Sequence, residues 1–225
     1  MSERVLVIAA HSDDEALGCG GTIAAHARAG DRVEVLFMTD GVGARGSGSA
    51  EAAARADASA KALRILGVAK HENLDFPDNR MDSVPLIEVT KAIEARVDAF
   101  APSIVYTHHG GDLNVDHRVT HEATMTALRP LPGSPTRTVL AFEVMSSTEW
   151  RARGPGNDFR PSWHVDITDD LQAKLDALGA YEAEMRPWPH SRSIRALDHL
   201  ARRRGADVGV EAAEAFELLR HIRTS

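Results

Sequence analysis

The chain has 225 residues, 43% of them hydrophobic and 26% charged, and 26 Lys and Arg against 33 Asp and Glu leave a net charge of −7. That apolar fraction supports a folded core and excludes wholesale disorder, and a pI near 5.9 argues against a phosphate-backbone binder, so no nucleic-acid partner is expected. A single cysteine, Cys19, excludes an internal disulfide and a cysteine-cluster metal site, which leaves any metal to His and carboxylate ligands.

Residues 4–10 form a continuous β-branched and aliphatic run, too short for a helix, that suits a strand covered on both faces of a parallel sheet. The run begins at once, without a signal-peptide plan, and no apolar stretch approaches the ~20 residues that span a bilayer. Stable membrane insertion is therefore not expected, and the expected location is cytoplasmic. Residues 14–29 are rich in alanine and stop at Gly30, which predicts a helix with a C-terminal glycine. The alternation then repeats: strand 32–39, helix 50–66 ending at Gly67, strand 72–76, helix 84–100, strand 103–107 and helix 116–128. Such spacing implies βαβ units, right-handed crossovers and an α/β fold with a Rossmann-like, mostly parallel sheet flanked by helices.

Beyond Pro130 the rhythm changes. Residues 138–145 read as a strand, 151–161 as a Gly/Pro/Arg-rich loop and 163–167 as a short strand. Thr168 is placed to cap a helix whose Leu171, Leu175 and Leu178 share a face. Residues 193–204 and 211–222 read as two further helices. The expected organisation is one domain over residues 1–225, with the core sheet over about 1–145 and a loop and C-terminal helical extension over about 146–225.

Chemistry gathers at two predicted strand ends. His11-Ser12-Asp13-Asp14-Glu15 follows the first strand, where an open α/β sheet houses its ligand crevice. Three carboxylates and an imidazole in five residues crowd like charges unless something positive joins them. Asp14 lies three residues beyond His11, so a turn can aim both at one point while Asp13 faces elsewhere. The alternative is that Ser12 or Asp13 caps the next helix, a contribution of about 0.5–2 kcal/mol. For this cluster alone both readings stand.

The second cluster shifts the balance. Strand 103–107 runs into His108, His109, Gly110, Gly111, Asp112, Asn114, Asp116, His117 and His121. His11, Asp14 and one later histidine would form a three-ligand site with an open position, as in catalytic rather than structural zinc. Zinc so held lowers the pKa of a coordinated water to about 7 and polarises a carbonyl. Asp13 is then the carboxylate left to act as general base. Iron(II) also uses such ligands.

With both clusters in view, the chain resembles the PIG-L/LmbE-like family of zinc-dependent de-N-acetylases, whose signature is His-Pro-Asp-Asp-Glu at the first strand end and a later Asp-His. Ser12 stands where that signature has proline, and Asp116-His117 supplies the second part. The likeness continues through Leu74-Asp75-Phe76-Pro77-Asp78, Trp163-His164-Val165-Asp166-Ile167, Trp188-Pro189-His190-Ser191-Arg192-Ser193 and Ala213-Glu214-Ala215-Phe216. It implies that His11, Asp14 and His117 bind one zinc and that Asp13 serves as base and then as acid to the leaving amine. The implied reaction removes an N-acetyl group from an N-acetylglucosamine-type sugar or sugar conjugate and releases acetate. Several family members carry an oxyanion-stabilising histidine three residues before the last ligand. Asn114 stands there in this chain, so the role passes to Asn114, to His109 or to the metal. Asp116 is expected to orient a neighbouring ligand rather than to bind metal.

Two substrate contacts are expected around this centre. The resemblance implies that Arg55 faces the site, against a reading as a helix-surface arginine, and Asp78 would either bind sugar hydroxyls or shape a Pro-Asp-Asn turn. The glycine-rich stretch 41–49 could close over substrate. His108, His121, His190 and His199 read as packing or surface histidines. Gly18-Cys19-Gly20-Gly21 fails as a dinucleotide fingerprint because Ile23 stands at its last glycine, and close helix packing explains it better. Two rival functions are carried forward: an amidase acting on a larger sugar-thiol or other conjugate, and a sugar- or nucleotide-binding module with a vestigial metal site. The expected partner is a small N-acetylated molecule, with a homo-oligomer left open.

Overall fold

In the computed structural model, which describes residues 2–39 and 49–223, the elements run β1 (Arg4–Ala9), α1 (Asp14–Arg28), β2 (Arg32–Thr39), α2 (Ser49–Ile65), β3 (Lys70–Phe76), α3 (Leu86–Phe100), β4 (Ile104–His108), α4 (Val115–Ala127), β5 (Thr138–Phe142), β6 (Trp163–Asp166), α5 (Leu171–Ala180), α6 (Ile194–Val208) and β7 (Ala213–His221). The glycine-rich stretch expected over 41–49 lies, apart from Ser49, outside the described residues. Among the described residues no helix is long and apolar enough to cross a membrane.

One seven-stranded sheet has the order β3-β2-β1-β4-β5-β7-β6. The first five strands in sequence pair in parallel, and β7 runs antiparallel to both β5 and β6. The apolar run of β1 is buried on both faces because alternate side chains serve two cores. Val5, Val7 and Ala9 pack with α1, α2 and α5, whereas Leu6 and Ile8 pack with α3 and α4. The chain leaves β1 for β2 and β3 on one side and returns to β4 and β5 on the other. The gap between the carboxyl ends of β1 and β4 is therefore the switch point where open α/β sheets bind ligands, and both histidine clusters open onto it.

The helix expected over residues 211–222 is instead the strand β7. Its alanines, glutamates and leucines favour a helix locally, but the backbone of β5 and β6 needs a partner between them. The first four residues of β7 are buried in that slot. The C-terminal extension thus adds two helices and also two strands to the same sheet. Thr168 does not cap α5. Its amide and hydroxyl both donate to Asp166 Oδ1, and Asp170 occupies the position before the helix.

Helix α1 is broken at Cys19, whose φ of −145° and ψ of 25° are not helical. The glycines around the break permit close approach: a Cβ on Gly18 would lie 2.2 Å from the Phe142 ring, and one on Gly21 would lie 2.6 Å from Ile167.

Candidate metal centre and active site

The turn after β1 brings His11 and Asp14 together. The His11 amide donates to Asp14 Oδ2 at 2.9 Å, and His11 Nδ1 lies 3.1 Å from the same oxygen. From the other strand end, Asn114 caps α4 by accepting the Asp116 amide at 2.8 Å, which places His117 in the first helical turn. His117 Nε2 then sits 3.3 Å from Asp14 Oδ2. His11, Asp14 and His117 are buried and each offers a ligand atom within 4.8 Å of the others.

This set fits a divalent cation. Asp14 Oδ1 is buried with no hydrogen-bond partner, and His117 Nε2, 3.3 Å from Asp14 Oδ2, makes no hydrogen bond of good geometry. A buried carboxylate oxygen left so would cost about 1–3 kcal/mol or more, whereas two imidazoles and a carboxylate are zinc or iron(II) donors. His11, Asp78 and Asp116 form a second close group. There, however, Asp116 already accepts the amides of Asn79 at 2.6 Å and Met81 at 3.0 Å.

The outer partners are equally specific. His11 Nε2 meets Asp116 Oδ2 at 3.0 Å and Asp78 Oδ1 at 3.2 Å. His117 Nδ1 lies 3.1 Å from Asp112 Oδ1. Asp112 in turn accepts from the hydroxyls of Ser147 and Thr148 and from the Asn114 amide. Burial would raise the Asp112 carboxyl, but His117 and the two hydroxyls outweigh it and hold the group well below the usual range. Burial likewise opposes charge on His117, yet Asp14 and Asp112 push it up to about 9. A cation entering the site takes the place of such protons. His108 stacks on His117 with ring centroids 4.0 Å apart; burial and that neighbour keep it neutral, and its Nε2 accepts the Ala10 amide at 2.8 Å.

Asp13 stands beside this candidate donor set and is not part of it. Its φ is 129°, a conformation side chains rarely adopt, and its amide donates to Glu15 Oε2 at 3.0 Å. Glu15 also accepts the Tyr181 hydroxyl at 2.6 Å, and burial pushes its carboxyl up to about 7. The third acid of the motif therefore supports the backbone of Asp13. Asp13 Oδ2 accepts from Arg192 Nη1 at 2.9 Å, while Oδ1 has no hydrogen bond among the described residues. Burial raises the Asp13 carboxyl against the pull of Arg192 and Arg55.

The remaining expected site residues are placed unevenly. Arg55 lies against the turn, donating to Ser12 Oγ at 3.0 Å, Ser12 O at 2.8 Å and Glu184 Oε1 at 2.7 Å, with Nη2 3.8 Å from Asp13 Oδ1. Asn114 spends its carbonyl on the helix cap and its amide on Asn79 Oδ1 at 3.3 Å. His109 is turned away from the ligands, with Nδ1 2.6 Å from Glu217 Oε2 and Nε2 3.1 Å from the Asn157 carbonyl. It thereby anchors the 151–161 loop, which crosses so close to Gly111 that a Cβ there would lie 2.4 Å from Gly156 O. Gly111→Ala is expected to cost about 1–3 kcal/mol by overpacking, read as a lower urea midpoint. Sequence reasoning gave no role to Asp112, Glu15, Tyr181, Glu184 or Arg192. Asp112 and Glu15 lie inside the two strand-end clusters and Arg192 inside the 188–193 segment, whereas Tyr181 and Glu184 carry no local signal.

A mostly parallel sheet whose switch point holds two imidazoles, a carboxylate beside them and a separate buried aspartate defines an α/β protein with a His/Asp group that could hold a cation. The family model described as GlcNAc-PI de-N-acetylase, PIG-L, matches residues 6–128, which take in both strand ends. The chain belongs to the PIG-L family. It is 33% identical over 148 residues to a protein of Escherichia coli (strain K12) named uncharacterized deacetylase YaiS, covering 64% of this chain and 75% of that one. It is 29% identical over 191 residues to the diacetylchitobiose deacetylase of Thermococcus kodakarensis, covering 81% of this chain and 70% of that one. The solved N,N'-diacetylchitobiose deacetylase of Pyrococcus horikoshii, crystallised with an inhibitor, shares the fold with a TM-score of 0.78 at 24% identity, over 97% of this chain and 84% of that one.

Proposed function

We propose that the chain is a cytoplasmic, metal-dependent hydrolase that removes the N-acetyl group of an N-acetylglucosamine-type sugar or conjugate, giving acetate and free amine. The observation that carries this reading is the unpartnered Asp14 Oδ1 and His117 Nε2 beside a buried aspartate that the ligand set does not use. The family description and the named substrate of the Thermococcus relative have the N-acetylglucosamine unit in common, which supports the substrate class.

Zinc bound by His11, Asp14 and His117 would supply Lewis acidity, polarising the amide carbonyl and making water more acidic. The chain's own residues do the rest. Asp116 accepts from the protonated His11 Nε2 and Asp112 faces the protonated His117 Nδ1, so the opposite nitrogen of each neutral ring keeps its lone pair for the cation. Asp13 accepts a proton from the attacking water and returns it to the departing nitrogen, so protons balance over the cycle. Burial strengthens Asp13 as a base. Asp78, Asn79 and Asn114 form the polar rim proposed to meet sugar hydroxyls.

The test is metal analysis of the purified protein, followed by parallel amine and acetate assays over N-acetyl sugars, glycolipids and thiol conjugates. One metal per chain and equal amounts of amine and acetate are expected. Chelation is expected to abolish turnover, and zinc or iron(II) to restore it. His117→Ala should weaken metal affinity beyond the about 10–100-fold that loss of an outer partner costs. Amine without acetate would redirect the assignment to a larger amide conjugate, and ligand binding without amine release would overturn the enzymatic reading.

A further inference from the structure

We infer that Arg192 is a positioning residue that fastens one oxygen of Asp13 so that the other, Oδ1, carries the proton; this rests on the hydrolytic role proposed for Asp13. Asp13 follows a strand and precedes a helix with φ at 129°, so no regular element sets the direction of its carboxylate. An anchor from outside the turn has to do so. Arg192 arrives from the segment just before α6, 179 residues away in sequence, and its Nη1 donates to Asp13 Oδ2 at 2.9 Å.

The guanidinium is itself held on several sides. Its Nε donates to Ser146 Oγ at 2.8 Å, and Nη1 lies 3.7 Å from Glu184 Oε2. The Arg192 amide donates to His190 Nδ1 at 3.0 Å, and its carbonyl accepts the Arg186 amide at 3.1 Å. A planar guanidinium fixed in this way gives its partner a direction as well as a charge, which a flexible ammonium does less well. Glu184 ties the arrangement to a second cation through Arg55 Nη1 at 2.7 Å. Arg55, however, is committed to Ser12 and stays 3.8 Å from Asp13 Oδ1. The two arginines therefore divide the work: Arg55 holds the turn, and Arg192 holds the carboxylate. Oδ2 is occupied and Oδ1 is left for the reaction. Among the described residues Arg192 makes no hydrogen bond or ion pair with His11, Asp14 or His117; its charge is felt at Asp14, but its direct bond in the centre is to Asp13.

The experiment compares wild type, Arg192→Ala and Arg192→Lys, each in Asp13 and Asp13→Asn backgrounds, at equal metal content and with melting temperatures recorded. On an N-acetyl sugar that the wild type hydrolyses, Arg192→Ala is expected to lower kcat about 10²-fold, the effect of a small misplacement of a reacting group, with KM unchanged. Arg192→Lys should restore part of the loss. In the Asp13→Asn background the same change should have no further effect. A rise in KM with kcat retained, or equal losses in both backgrounds, would overturn the inference. Crystal structures give an arm independent of turnover: without Arg192 the Asp13 carboxylate should rotate from its wild-type position, and an unmoved Asp13 refutes the positioning role. If the wild type releases no amine from any N-acetyl sugar, the hydrolytic reading fails, and the crystallographic comparison still decides whether Arg192 orients Asp13.

Discussion

Asp13→Asn is expected to lower turnover about 10³-fold, within the range a general base contributes, while bound metal stays at the wild-type level. The substitution preserves shape and removes the carboxylate's charge together with its capacity to accept a proton. An asparagine carbonyl can still receive the Arg192 Nη1 donor that Asp13 Oδ2 now takes at 2.9 Å. The hydrogen bond from the residue 13 backbone amide to Glu15 Oε2 does not involve the Asp13 side chain and remains. Nothing in the ligand set changes, because the groups that converge on the cation position are His11, Asp14 and His117. The measurement is kcat and KM together with metal content per chain. Loss of metal in step with activity would make Asp13 a ligand, and normal turnover at full metal loading would refute its role as base.

The two strand ends were legible because their signals are local. A strand buried on both faces writes itself as an unbroken apolar run, and His11 to Glu15 follows that run directly. The departure from the family signature at residue 12 also has a physical use here, since Ser12 Oγ accepts from Arg55 Nε at 3.0 Å, a bond proline could not make. The groups that hold Asp13 were not legible. Arg192 reaches Asp13 from 179 residues away and Tyr181 reaches the supporting Glu15 from 166, and only the fold brings them there. His109 shows a different limit. It is the neighbour of His108, but adjacent residues at a strand end point to opposite sides. His108 therefore stacks on His117, while His109 turns to Glu217. The strand β7 escaped for a third reason: its composition is that of a helix, and the need of β5 and β6 for a common partner is a property of the sheet.

Lys174→Met is expected to destabilise the fold by about 3–5 kcal/mol, the cost of leaving one half of a buried ion pair. Lys174 and Glu214 have side chains only 4% and 5% exposed, and they meet at the break in α1. In an unbroken helix the Gly21 amide would bond the Leu17 carbonyl, four residues back. Here the Leu17 carbonyl accepts from Lys174 Nζ at 2.8 Å, and the Gly21 and Thr22 amides donate to Glu214 at 3.0 and 2.7 Å. The ion pair is thus inserted into the helical hydrogen-bond ladder, a recognised cause of a sharp bend. Methionine would fill much the same volume, but it leaves the Glu214 carboxylate charged, buried and without a cation. Urea denaturation should show the loss as a lower midpoint with little change in slope. Lys174→Met combined with Glu214→Gln should lose less than Lys174→Met alone, because the uncompensated charge is gone while the glutamine carbonyl still accepts one of the two amides. A loss below about 1 kcal/mol for the single change, the range of exposed pairs, would mean that the pair does not hold the break. The same helix begins at Asp14, so the measurement also tests how firmly the turn that carries His11 and Asp14 is seated on the fold.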